Sequence, residues 1–261
     1  MEQSILEVED LSVSFKEKKV LEHISFCVER GRIYSVIGKN GCGKTTLLRT
    51  ICRSQRPDAG QIRLEGRDIR RLSSRAVART MAILSQNNDS MSDVTVETLT
   101  GYGRYAHKKL FVSGGESDRE IVDWAMERTG VQDLRRRKIN TLSGGERQRA
   151  WMAMLLAQKP AVMLLDEPTT YLDIAHQLEI MELVSDLNRT EGITILMVLH
   201  DINHAARYSD ELIVLDGRRV FRQGAPWTLI EEGIMEQVFG VESDVLKSSE
   251  GDPIFYAKRV I

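Results

Sequence analysis

Gly38-Lys39-Asn40-Gly41-Cys42-Gly43-Lys44-Thr45 decides how this chain is read. It is a glycine-rich turn that closes on Lys and Thr, the pattern of a phosphate-binding loop. The apolar run Ile33-Tyr34-Ser35-Val36-Ile37 leads into it as a buried strand, and Leu47, Leu48 and Ile51 follow at helical spacing. Strand, loop and helix are the context the motif needs. Glycines let successive backbone N–H groups curl into a nest around a polyphosphate. The helix that follows presents its positive end to the same anion. Lys44 reaches the outer phosphates, and Thr45 offers a hydroxyl to Mg²⁺.

The bulk numbers set the frame. The chain has 261 residues, 42% of them hydrophobic and 28% charged, as in an ordinary soluble protein. That length suits one large domain, or one domain with an inserted subdomain. Lys and Arg number 36 against 38 Asp and Glu, so the net charge of −2 gives no electrostatic case for nucleic acid as a partner. Arg135-Arg136-Arg137-Lys138 is a local basic run, read as a solvated turn or a membrane-facing patch rather than a DNA site. Cys27, Cys42 and Cys52 have no metal-ligand spacing and suggest a reducing compartment. Cys42 lies inside the phosphate loop, where alkylation would block a ligand. No apolar segment is long enough to span a bilayer, and the first residues lack a signal-peptide pattern, so a cytosolic or peripheral location is expected.

Periodicity divides the chain. Residues 1 to about 85 read as strands and turns, with Val8, Leu11, Val13 and Phe15 in one strand and Ile24, Phe26 and Val28 in another. Residues 87–158 read as an inserted helical subdomain, with Ile121, Trp124, Ala125 and Arg128 at helical spacing. Val162-Met163-Leu164-Leu165 and Thr194-Ile195-Leu196-Met197-Val198 are continuous apolar runs, the mark of strands buried on both faces of a parallel sheet. Between them Asp173 caps a helix expected to bury Ile174, Leu178, Met181 and Leu187. Asp216-Gly217 predicts a hairpin turn. The expected organisation is a catalytic core over 1–86 and 159–225, the helical subdomain over 87–158, and a tail over 226–261 that is a helix and then a less regular end.

Asp166-Glu167 ends the first of those two buried runs, where ligand sites of open parallel sheets lie. Asp166 suits positioning of Mg²⁺, and Glu167 suits activation of an attacking water. Leu142-Ser143-Gly144-Gly145-Glu146 opens a helix-compatible run, and Ser143 with Glu146 fits a capping box. A glycine-opened helix start is also an anion site.

With these residues in hand, nearly the whole chain resembles the ATP-binding cassette (ABC) ATPase family. Leu142 to Glu146 resembles its signature motif, and its occurrence after a phosphate loop is highly specific. The resemblance implies an α/β P-loop NTPase fold: a mainly parallel sheet core, an N-terminal antiparallel β region and an inserted helical subdomain. It implies ATP and Mg²⁺ as ligands, with Gly38, Lys39, Asn40, Gly41, Cys42, Gly43, Lys44, Thr45 and Thr46 around the phosphates and Phe15 stacked on adenine. It implies Thr45, Gln86 and Asp166 near Mg²⁺, and Glu167, His200 and Lys44 in catalysis. Ser143, Gly144, Gly145, Glu146 and Asp173 would act on the nucleotide of a second copy. The signature ends in Glu146 where the family more often has Gln, and Phe15 replaces the commoner Tyr. Both changes keep the needed chemistry, an acceptor and a stacking face.

Finer runs resemble the iron-siderophore importer subfamily: Thr169 to Gln177, Ser143 to Trp151, His200 to Asp210 and Gly101 to His107. The resemblance implies a homodimer beneath two membrane-spanning permeases, at the cytoplasmic face, fed by an extracytoplasmic substrate-binding protein. Motion would pass through a surface near Gln86 and the helical subdomain. Cobalamin, haem or another metal chelate is an alternative cargo. A soluble cassette serving assembly or regulation is the alternative of another class.

Overall fold

The computed structural model of the protein describes residues 4–85, 93–108 and 116–261. Two compact units form, Met1–Arg71 with Thr194–Ile261, and Leu72–Ile193. The first unit opens with β1 (Ser4–Phe15) and β2 (Lys18–Glu29), an antiparallel pair. Val8, Leu11 and Val13 of β1 are buried, as are Leu21, Ile24, Phe26 and Val28 of β2. Alternation groups Leu11 with Val13, and Ile24 with Phe26 and Val28, while the odd intervals Val8–Leu11 and Leu21–Ile24 fall at register shifts in the pairing. Next come β3 (Ile33–Gly38) and α1 (Lys44–Ile51). After them, β4 (Ala59–Leu64) pairs antiparallel with β1, and β5 (Arg67–Asp68) with β4.

The second unit holds α2 (Ser74–Thr80), β6 (Met81–Leu84), α3 (Val96–Tyr102), α4 (Glu116–Arg128), α5 (Gly144–Ala157), β7 (Val162–Asp166) and α6 (Ile174–Glu191). Strands β6 and β7 are parallel, Met81 opposite Val162 and Leu84 opposite Leu165. Helices α3 and α4 pack on α5. Ala150, Met152, Ala153, Leu156 and Ala157 of α5 are fully buried, so that helix is the spine of the unit.

The chain then returns to the first unit through β8 (Thr194–Val198), α7 (Ile202–Tyr208), β9 (Glu211–Asp216), β10 (Arg219–Gly224), α8 (Pro226–Leu229), α9 (Glu232–Phe239), β11 (Val241–Lys247) and β12 (Pro253–Val260). All six residues of β3 are buried, and the strand lies parallel between β8 and β9. Runs buried on both faces read as unbroken apolar stretches, which is why β3, β7 and β8 fall where the sequence puts them. The α/β fold with an N-terminal antiparallel region, parallel strands and a helical part is the one expected.

Four local expectations are corrected. The tail beyond α9 is a regular hairpin, β11 with β12, rather than an irregular end. Residues 69–80 hold a 3₁₀ turn and α2, capped by Ser73, where strands and turns were read. The β9–β10 turn is centred on Gly217-Arg218, one residue later than expected, with φ of 52° and 71°. In α6 the buried residues are Ile180, Met181, Val184 and Leu187, while Ile174 is 77% exposed at the first helical position. The burial period starts one turn later, because the first turn carries the cap rather than the core.

Candidate nucleotide site

In the first unit the phosphate loop turns from β3 into α1. Lys39, Asn40 and Gly41 are exposed, Cys42, Gly43, Thr45 and Thr46 half-buried, and Lys44 only 6% exposed. The Lys44 ammonium donates to the carbonyls of Gly38 (2.7 Å) and Lys39 (3.1 Å), so the loop curls around it. Gly43 is the residue before α1, with φ of +105° and no side-chain cap on the helix start. By contrast α5, α6 and α7 are capped by the side chains of Ser143, Asp173 and Asp201. The first N–H groups of a helix need partners, and a start without a side-chain cap beside a buried ammonium is suited to an anion.

Burial, above all, pushes the Cys42 thiol up from its ordinary range, against the pull of the Lys44 charge. His200 is exposed two residues beyond β8, just before the Asp201 cap of α7. Phe15, at the end of β1, is 47% exposed and therefore not a core aromatic.

The second unit gathers the acidic pair and the signature-like turn. Asp166 is 3% exposed at the end of β7. Glu167 follows, half-buried, with φ of +54°, a left-handed conformation that costs a non-glycine residue free energy. The Thr170 hydroxyl donates to its carboxylate at 3.0 Å, and the Thr170 N–H to its carbonyl at 3.2 Å. Gln148 of α5 donates to the Pro168 carbonyl at 2.8 Å, tying α5 to this turn.

At the start of α5 the capping box is complete. Ser143 Oγ accepts from the Glu146 N–H (3.3 Å), and Glu146 accepts from the Ser143 N–H (2.8 Å). That backbone bond is the foremost reason the Glu146 carboxyl lies below its usual range, with the Arg137 charge adding to it. Gly145 needs its hydrogen: a methyl there would lie 2.2 Å from the His176 ring. His176 itself is held by Asp173, whose carboxylate caps α6 and meets His176 Nδ1 at 2.7 Å. The signature turn and Asp173 are thus brought together through His176.

Gln86 lies outside the described residues. Gln148, Thr170 and His176 support the site; in sequence they stand only inside the subfamily-like runs, with no role assigned to them. Only the Asp173 to His176 interval, the spacing of a cap to the third helical residue, signals one of them. Among the described residues no helix is long and apolar enough to cross a membrane, and no cluster of three or more His, Cys, Asp or Glu could hold a metal ion.

Residues 21–170 match the sequence model of the ABC transporter family. The chain belongs to the ABC transporter family. The iron(3+)-hydroxamate import ATP-binding protein FhuC of Bacillus subtilis (strain 168) is 43% identical over 241 residues, 92% of this chain and 90% of that protein. The ferric enterobactin transport ATP-binding protein FepC of Escherichia coli (strain K12) is 43% identical over 238 residues, 91% and 88% of the two chains. In fold, this ABC cassette superposes with a TM-score of 0.73 at 24% identity on the ATP-binding cassette MJ0796, in a dimeric post-hydrolysis state bound to ADP and Pi, over 85% of this chain and 98% of that one.

Proposed function

We propose that this chain is the ATP-hydrolysing subunit of an ABC importer that takes up ferric siderophores. The identity to two ferric-siderophore import ATP-binding proteins over about nine-tenths of the chain carries this reading. The loop geometry supports it, with a buried Lys44 ammonium beside an α1 start that has no side-chain cap. Two copies would work under two permeases at the cytoplasmic face of the membrane, with an extracytoplasmic binding protein delivering cargo. The division into core (1–86, 159–225), helical subdomain (87–158) and tail (226–261) belongs to the same proposal.

The roles follow from the chemistry of the groups. Gly38 to Thr46 cradle the polyphosphate, and Lys44 offsets its outer charge. The exposed face of Phe15 takes the adenine ring. Thr45, Asp166 and Gln86 would hold Mg²⁺, whose charge helps neutralise the phosphates. A site with few protein ligands suits this ion, which keeps waters and phosphate oxygens around it. Glu167 accepts the proton of the attacking water, and its left-handed backbone fixes where the carboxylate starts. His200 donates to the terminal phosphate. Ser143, Gly144, Gly145, Glu146 and Asp173 complete the site on the partner copy.

ATP binding favours the paired state, and loss of phosphate reverses it; coupling is the difference in nucleotide affinity between the two states. Uptake of iron-labelled hydroxamate siderophore tests the cargo. A strain lacking this subunit should regain uptake with the parent chain and not with Lys44→Ala. If the purified chain hydrolyses ATP yet restores no ferric uptake, the cargo is another chelate.

A further inference from the structure

The loop between Glu167 and α6 lies against the start of α5. A methyl built on Gly144 would stand 3.2 Å from Leu172 Cδ2, and one on Gly145 would stand 2.2 Å from His176 Cδ2 and 2.9 Å from His176 Cγ. Each glycine is therefore covered by a side chain, one from the loop and one from the first turn of α6. The loop is fastened at both ends. Gln148 of α5 donates to the Pro168 carbonyl at 2.8 Å, and Gln177 of α6 donates to the Leu172 carbonyl at 2.9 Å. His176 adds a tie of another kind. Its Nδ1 lies 2.7 Å from Asp173 Oδ1, the same oxygen that accepts the His176 backbone N–H at 2.9 Å. That backbone bond, foremost, holds the Asp173 carboxyl below its usual range, so it meets the ring as a carboxylate near neutral pH. A carboxylate only accepts, so Nδ1 carries the proton and the bond sets the direction of the ring. The Cδ2 edge of the same ring rests on Gly145. One imidazole thus touches Asp173 and the signature turn, both within the unit Leu72–Ile193.

We infer that His176 is a positioning residue for ATP-driven pairing: it joins Asp173 and the signature turn into one rigid edge, so that both meet the partner's nucleotide in register. This inference rests on the proposed nucleotide site shared between two copies. Helix α6 does not need the imidazole. Asp173 caps it through the backbone N–H of residue 176, which any residue except proline retains. Removing the ring therefore spares the cap and removes only the tie. What is lost is the fixed offset between two groups that must reach one ligand together. Binding through two groups is tightest when their spacing is set beforehand. Nucleotide held by a chain's own phosphate loop does not use this edge, so its affinity is spared.

The test uses the full chain carrying Glu167→Gln, so that ATP stays intact, with His176→Ala or His176→Asn added. Asn offers an amide N–H to the Asp173 carboxylate in place of Nδ1. In MgATP, light scattering should show His176→Ala needing roughly 10-fold more chain for half-pairing, the size of one hydrogen bond to a charged group. ATP affinity of the single chain should match that of Glu167→Gln alone. The Gly144 and Gly145 amide NMR signals should broaden by microsecond-to-millisecond exchange, beyond the shift that loss of a ring gives. His176→Asn should recover much of the pairing and sharpen both signals. Parent-like pairing in His176→Ala, or a pairing loss that His176→Asn leaves uncorrected, would overturn the role. If Glu167→Gln alone stays monomeric with ATP bound, the shared site fails instead, and the glycine linewidths still decide whether His176 holds the turn.

Discussion

Gly43 is constrained from two directions. Its φ of +105° lies where side chains are strained, and a methyl there would sit 2.6 Å from Leu21 Cδ2 and 3.1 Å from the Val20 carbonyl. Gly43→Ala must therefore move β2 or turn the loop. A stability loss of about 1–3 kcal/mol is expected, together with weakened nucleotide binding. Denaturant unfolding and titration with a fluorescent ATP analogue check the two halves. Unchanged affinity would show that the N–H nest does not hold phosphate. One residue earlier, Cys42 is governed by burial. Its raised pKa means less thiolate near neutral pH than in a free thiol. Alkylation by iodoacetamide should thus run slower than for free cysteine at pH 7.5 and accelerate as the pH climbs past the ordinary thiol range. Peptide mass spectrometry follows the site; parity with free cysteine would contradict the buried placement.

Among the elements, α5 has its start held by a complete capping box. Glu146→Ala breaks half of the capping box and should cost about 1 kcal/mol. The pH dependence has a definite sign. The folded carboxyl lies below its unfolded value, so its charge-linked contribution is complete above the unfolded carboxylate range. It fades as the pH falls through the lowered folded value. Urea unfolding should accordingly show parent and Glu146→Gln converging in acid and separating at neutral pH. Elements built like β3, β7 and β8 were legible because their burial is continuous and needs no partner to be named. Capping boxes were legible because their partners are three residues apart. The β11–β12 hairpin was not. Its strand carries Glu242, Asp244 and Lys247 among apolar residues, and its edge is fixed by Asn203, 52 residues away from Phe255. Helix α2 escaped notice for a similar reason, since only Val77 of its seven residues is buried. The left-handed backbone of Glu167 leaves no mark in sequence, although Asp166-Glu167 itself does.

At the scale of the whole molecule, the proposed reaction needs two chains. The Ser143 hydroxyl stands at an exposed position, bonded to Glu146 within the capping box. The glycines beside it add backbone N–H groups at the positive end of a 14-residue helix. In the proposed pair this helix start would face the nucleotide held by the partner's Gly38–Thr46 loop. Association should then depend on an intact terminal phosphate. Glu167→Gln, which keeps the side-chain shape but cannot take a proton from water, should lose roughly 10²–10⁴-fold in hydrolysis while still binding ATP. In MgATP it should elute as a dimer, and in MgADP as a monomer. Adding Ser143→Arg places a cation and a long side chain at the helix start. That double variant should bind ATP as a monomer with near-parent affinity and fail to pair. Light scattering with bound-nucleotide analysis separates these cases. A Glu167→Gln chain that stays monomeric with ATP bound would remove the shared site from the mechanism, whatever the cargo proves to be.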